Sequence, residues 1–333
     1  MSAANDTPLI EVEGLGISLN TSRGRAQAVR EVSFALRRGE TLGLVGESGC
    51  GKSVTALALM GLLPDSAIVS GSIRLDGREL VGLSDPDYCR LRGNRISMIF
   101  QEPMTALNPM HTVGRQVAEP LRRHKNLSAA EAREEAIALL DRVGLPDAFK
   151  RADAYPHQFS GGQRQRITIA MALACQPDVL IADEPTTALD VTIQRQILDL
   201  VADLVEERGM AMILISHDLG VIAENVSRMM VMYGGAVVES GTTDAVFSRM
   251  GHPYTQGLFR ARPRLGAKKG TRLKTIAGSV PELADLPQGC TFADRCPIVI
   301  ARCRAALPDA IDIGGGHRAR CIRTDVSLAG AGA

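Results

Sequence analysis

Gly46-Glu-Ser-Gly-Cys-Gly-Lys-Ser53 decides the reading of this chain. It fits the pattern G-x-x-x-x-G-K-[ST], and its flanks have the character that pattern requires. The apolar run Thr41-Leu-Gly-Leu-Val45 before it reads as a strand, and Val54 to Leu63 after it reads as a helix ending before Pro64. The glycines let the backbone curl so that successive N–H groups point inward at phosphate oxygens. The helix N-terminus adds about half a unit of positive charge at the same place. Lys52 is expected to bridge the β- and γ-phosphates of a nucleotide and Ser53 to ligate Mg²⁺. Cys50 reads as a small residue at a variable loop position, with a thiol exposed in the nucleotide-free protein as the alternative.

Two further stretches narrow the chemistry. Val179-Leu-Ile-Ala-Asp-Glu184 is an apolar run ending in two carboxylates, as a buried parallel strand presents at its C-terminal end, where open α/β sheets bind ligands. Asp183 is expected to hold Mg²⁺ through its water shell. Glu184 is placed to polarise an attacking water as general base, an effect of about 10²–10⁴-fold. Phe159-Ser-Gly-Gly-Gln163 lies before a helical run from Arg164 to about Cys175. Ser160 is a natural N-cap and the two glycines permit close approach of a ligand, which makes a second anion-binding helix N-terminus.

In this order the chain resembles the ATP-binding cassette (ABC) ATPases over residues 9 to about 250. The fold implied is α/β: a P-loop NTPase cassette with a RecA-like core, an antiparallel β subdomain and a helical subdomain at about residues 86–165. The resemblance adds Gln101, in Ile99-Phe-Gln-Glu-Pro103, as the loop glutamine that senses Mg²⁺ and a transmembrane partner. It adds Asp190, in Ala188-Leu-Asp190, at the dimer interface, and His217, in Ile215-Ser-His-Asp218, as the switch histidine at the γ-phosphate. The nucleotide-contacting set it implies is Gly46, Glu47, Ser48, Gly49, Cys50, Gly51, Lys52, Ser53 and Val54, with Gln101, Asp183 and Asp190. Ser160, Gly161, Gly162 and Gln163 would cover the ATP held by a partner subunit. Two ATP molecules would then lie at the interface of a head-to-tail dimer. The family usually places an adenine-stacking aromatic near residue 19. Leu19 stands there and Phe34 is the first aromatic in the chain, so weak adenine selectivity is expected.

Composition is compatible with this and argues against other classes. Lys+Arg is 38 and Asp+Glu is 37, so no global charge draws the chain to nucleic acid or acidic lipid. Aromatics are 3% and Trp is absent, which argues against base-stacking platforms. No apolar run approaches the about 20 residues of a membrane span, and the N-terminus lacks the pattern of an export signal. A cytosolic chain is expected, in which seven Cys read as thiols or metal ligands before disulfides.

The expected organisation is an ATPase domain at 1–255, a basic linker at 256–280 and a cysteine-containing tail at 281–333. Between 260 and 274 lie Arg260, Arg262, Arg264, Lys268, Lys269, Arg272 and Lys274 with no acidic residue, read as a solvated linker or, alternatively, as a contact with acidic phospholipid or a partner subunit. Cys290, Cys296, Cys303 and Cys321 are separated by five, six and seventeen residues, looser than the usual zinc pairs and unlike bacterial ferredoxin runs, so spacing alone leaves the metal open, with four independent thiols as a further alternative.

His252-Pro-Tyr-Thr255, Ile276-Ala-Gly-Ser-Val-Pro281 and Gly289-Cys-Thr-Phe-Ala-Asp-Arg-Cys-Pro297, followed by Cys303 and Cys321, resemble the oligopeptide/dipeptide importer ATPases. That resemblance implies a [4Fe–4S] cluster on the four tail cysteines, with zinc second. It implies a second, related ATPase subunit, two transmembrane permeases and an extracytoplasmic binding protein, with this chain peripheral on the cytoplasmic face of the inner membrane. The expected activity is ATP hydrolysis coupled to peptide import. Alternatives are the same role for nickel, glutathione or a sugar, a soluble non-transport ABC ATPase, or a redox-regulated ATPase.

Overall fold

A computed structural model describes residues 7–187, 189–261 and 275–326. Its strands are β1 (Ile10–Thr21), β2 (Gly24–Leu36), β3 (Thr41–Val45), β4 (Ile68–Leu75), β5 (Arg78–Glu79), β6 (Ile96–Ile99), β7 (Val179–Asp183), β8 (Ala211–Ser216), β9 (Arg228–Tyr233), β10 (Ala236–Thr242), β11 (Ile311–Asp312) and β12 (Arg318–Ala319). The chain forms two compact units, each discontinuous in sequence. The phosphate-loop unit contains Ile10–Ala35, Thr41–Val81 and the described residues from Ile215 onward. The helical unit contains Leu36–Glu40, Gly82–Leu214 and the described residues before Ile10.

In the phosphate-loop unit an antiparallel sheet runs in the order β2-β1-β4-β5, with Ile10 opposite Leu75 and Val12 opposite Ile73. These four side chains are all buried, the inward half of an alternating pattern. A second group of strands runs β3-β9-β10-β12-β11. β3 and β9 are parallel, with Val45 beside Val231, and both are apolar on two faces because the sheet is covered on both sides. Gly234 and Gly235, at φ 55° and 81°, supply the left-handed pair that a two-residue hairpin between β9 and β10 requires. The helix after the phosphate loop spans Lys52–Leu59, not Val54–Leu63. Gly51 caps its start and left-handed Gly61 stops it early.

The helical unit holds parallel β6 and β7, paired Ile96 to Val179 and Ile99 to Ala182, with β8 beyond β7. Its helices run from Asp85 to Leu173 and continue with Val191–Arg208. Ala129–Arg142 opens with the reciprocal Ser128/Glu131 capping box that the sequence signals. Val113, Val117 and Leu121 form the buried stripe of Val113–His124, which packs on Ala129–Arg142.

The tail is joined to the phosphate-loop unit by strand addition, β12 pairing with β10 at Glu239–Ala319. Glu239 closes the join. Its buried carboxylate accepts from the N–H groups of Gly251 (2.6 Å) and His252 (3.0 Å) and lies 2.7 Å from His317 Nε2. Arg262, Arg264, Lys268, Lys269, Arg272 and Lys274 of the expected linker, and Ala188, lie outside the described residues. Among the described residues no helix is long and apolar enough to cross a membrane.

Candidate nucleotide site

The phosphate loop is built on close approach. Gly51 sits at φ 100°, and a Cβ there would lie 2.7 Å from the Ala28 carbonyl oxygen. A Cβ on Gly46 would lie 2.3 Å from the Met232 carbonyl oxygen. Lys52 is buried, and its ammonium donates to the carbonyls of Gly46 (2.7 Å) and Glu47 (3.1 Å), which holds the charge over the curl of the loop. Ser53 is half-buried in the first turn of the helix. Cys50 is fully buried in the loop, and burial pushes its thiol up against the opposing pull of Lys52. Its sulfur packs inside the loop, 2.7 Å from where a Cβ on Gly46 would lie.

Sequence reasoning finds in Tyr254 and Arg295 only marks of resemblance, yet both reach this loop. The Glu47 N–H donates to Tyr254 Oη at 2.8 Å, and burial pushes that phenol well above its ordinary range. Arg295 holds the Glu47 carboxylate with both terminal nitrogens, at 2.7 and 3.1 Å. Tyr233, Tyr254 and Phe292 form the aromatic cluster beneath. The signal is present in the sequence: Tyr254 lies in His252-Pro-Tyr-Thr255 and Arg295 directly precedes Cys296.

In the helical unit, Asp183 ends β7 and is 4% exposed. Glu184 follows at φ 46°, a strained conformation for a non-glycine residue. Its Oε2 accepts from Gln101 Nε2 at 3.2 Å and from Thr187 Oγ1 at 3.0 Å. Thr187 is another residue that the sequence alone does not single out. Ser160 caps the helix Gly161–Leu173: its Oγ accepts from the Gln163 N–H (3.3 Å), and Gln163 Oε1 accepts from the Ser160 N–H (3.2 Å). Arg151 donates to Gln163 Oε1 at 3.2 Å and stacks 4.3 Å above Phe159. Asp190 caps Val191–Arg208 through the Ile193 N–H at 3.0 Å. The two helix starts touch, since a Cβ on Gly162 would lie 2.9 Å from Ile193 Cγ2.

Gln101, Ser160–Gln163, Asp183, Glu184 and Asp190 thus share one unit, whereas Gly46–Val54, His217 and Leu19 belong to the other. His217 is exposed after β8, and Leu19 is half-buried on β1.

Cys290, Cys296, Cys303 and Cys321 line one small apolar cavity with Phe292 and Ala293. Burial pushes the Cys290 and Cys321 thiols up to about 11. Four thiols suit a soft metal or an iron–sulfur cluster in kind. The space between them is only about 10 Å³, about one water, and among the described residues no group of three or more His, Cys, Asp or Glu is placed to hold a metal ion. The donor set fits in chemistry, but the placement of the thiols and the closed cavity do not.

Comparison with known proteins extends this picture. The family profile described as ABC transporter matches residues 29–187, and that described as oligopeptide/dipeptide transporter, C-terminal region, matches residues 238–303. A putative peptide import ATP-binding protein of Brucella abortus is 51% identical over 328 residues, covering 95% of this chain and 97% of that protein. The dipeptide transport ATP-binding protein DppD of Bacillus subtilis is 50% identical, covering 95% of each chain. The dimeric post-hydrolysis structure of the ATP-binding cassette MJ0796, bound to ADP and Pi, superposes with a TM-score of 0.63 at 27% identity, covering 70% of this chain and 98% of that one.

Proposed function

Because the chain belongs to the ATP-binding subunits of oligopeptide/dipeptide ABC importers, we propose that it hydrolyses ATP to power peptide import through a membrane complex. What supports the mechanism is that one chain carries two glycine-rich helix starts suited to be the half-sites of a nucleotide. One is the glycine-bent phosphate loop, and the other is the exposed, capped helix N-terminus at Ser160. A nucleotide bound by the first in one subunit is covered by the second of its mate.

In this reading Lys52 and the loop N–H groups would hold the phosphates, and Ser53, Gln101 and Asp183 would hold Mg²⁺, which would neutralise phosphate charge. Glu184 takes the proton of the attacking water, and His217 contacts the γ-phosphate. Differential γ-phosphate contacts favour the closed dimer, and their loss on hydrolysis opens it. Two permeases, a binding protein and a related second ATPase complete the complex, with this chain peripheral at the cytoplasmic face. The test is ATP hydrolysis by the assembled complex after Ser160-Gly-Gly is destroyed in both ATPase subunits. Loss of turnover is expected, and undiminished turnover would overturn the reading.

The ATPase domain is assigned to 1–255, the basic linker to 256–280 and the tail domain to 281–333. For Cys290, Cys296, Cys303 and Cys321 the proposal is a [4Fe–4S] cluster, with zinc second, and it requires the closed cavity between the thiols to open. The cluster would clamp a tail too small to build its own core. Anaerobic purification should give coloured protein with iron and sulfide, and colourless protein lacking both refutes the cluster. Leu19 leaves adenine without an aromatic stack, so GTP should compete with ATP for binding, and a strong preference for ATP would refute that.

A further inference from the structure

The Arg295 side chain is 5% exposed and each of its five N–H donors has an acceptor. Nε donates to the Ala277 carbonyl at 2.9 Å. One terminal nitrogen donates to Glu47 Oε2 (2.7 Å) and Tyr233 Oη (3.4 Å). The other donates to Glu47 Oε1 (3.1 Å) and the Gly278 carbonyl (3.2 Å). One side chain therefore gathers the phosphate loop, the segment Ala277–Gly278 and β9. A lysine has neither the planar fork nor the donor count for this.

Glu47 makes the arrangement significant for the loop. Its carboxylate stands in the segment that curls to receive phosphate oxygens, and its own N–H is held by Tyr254 Oη at 2.8 Å. An unpaired carboxylate there would repel a triphosphate and would be free to swing across the loop. The bidentate pair neutralises it and fixes its direction.

We propose that Arg295, from the cysteine-containing tail, is a positioning residue of the phosphate loop: it restrains the Glu47 carboxylate so that the loop accepts nucleotide phosphates. The inference rests on the nucleotide reading of the loop given above. It does not depend on what the four thiols bind. It gives the tail a part in nucleotide affinity.

The test is equilibrium binding of MgATP and MgADP to the full chain. Arg295→Ala should weaken MgATP binding about tenfold and MgADP less, because repulsion from the released carboxylate grows with phosphate charge. Glu47→Gln combined with Arg295→Ala should recover most of the loss, since the charge needing restraint is gone. A purely structural role for Arg295 would not be rescued in this way. Arg295→Ala binding MgATP within about twofold of wild type would overturn the proposal, as would a double variant as weak as the single one. Should Arg295→Ala fail to fold, Arg295→Lys with and without Glu47→Gln asks the same question, with a smaller loss and the same rescue expected. Wild-type chain that binds no MgATP would overturn the nucleotide reading itself.

Discussion

Gln101 Nε2 meets Glu184 Oε2 at 3.2 Å, and the parallel register of β6 and β7 explains why. That register pairs Ile99 with Ala182, and Gln101 and Glu184 each follow two residues later, just past the strand ends. The contact is therefore built into the strand alignment. Together with Thr187 Oγ1 it holds the carboxylate by two donors, and φ 46° at Glu184 turns the backbone away from the strand path.

Glu184→Gln should keep that hydrogen-bonded position while removing the base. Turnover of the assembled complex is expected to fall by about 10²–10⁴-fold, with MgATP binding retained and the closed dimer accumulating. Steady-state phosphate release and size-exclusion with MgATP measure the two halves. A variant turning over at the wild-type rate would refute the assignment of Glu184 as base.

Ser160 supports two different substitutions. Ser160→Ala removes the cap oxygen that the Gln163 N–H uses and should cost about 1 kcal/mol of stability, read by thermal unfolding. Ser160→Arg adds bulk at an exposed position, so folding should change no more than with Ala. In the assembled complex, however, Ser160→Arg should abolish hydrolysis at the mate's nucleotide, which Ser160→Ala should largely leave intact.

The phosphate loop offers a test of close approach against conformational freedom. Gly49 has φ 80°, and a Cβ added there would meet nothing within 4 Å, so Gly49→Ala should cost only about 1 kcal/mol. Gly51 combines φ 100° with a 2.7 Å approach to the Ala28 carbonyl, so neither the backbone nor β2 can yield cheaply. Gly51→Ala should cost roughly 1–3 kcal/mol and abolish MgATP binding. Denaturation midpoints and nucleotide titration of the two variants would separate these effects.

The legible part of the molecule is the part carried by local chemistry. The phosphate loop, the Ser128 and Ser160 caps, the strand ending in Asp183 and the Gly234–Gly235 turn all announce themselves through residues adjacent in sequence. Boundaries set by a neighbour are less visible, as where left-handed Gly61 ends a helix expected to reach Leu63. Long-range pairings are invisible. Nothing local couples Arg295 to Glu47 or Glu239 to His317, because ion-pair partners are chosen by folding. Cys50 is legible as a loop residue, but its burial is not, since that depends on the Met232 strand pressing against the loop.

Asp178 connects acid stability to the strand that ends in Asp183 and leads into Glu184. Burial raises its carboxyl pKa, but hydrogen bonds from Arg38 and Arg95 outweigh burial, and the net shift is below the ordinary 3.8. Its backbone links three strands: its N–H donates to the Arg95 carbonyl at 2.9 Å, and its carbonyl accepts from the Ala211 N–H at 2.9 Å. A carboxyl whose folded pKa is depressed contributes stability that is fully present above its unfolded pKa and is lost as pH falls through the folded value. The contribution should therefore be constant from neutral pH down to about 4 and fade below it. Asp178→Asn should lower stability at pH 7 and flatten the decline below about pH 4, as followed by denaturant titration across that range. An unchanged acid limb in the variant would show that other carboxylates govern the acid unfolding of these strands.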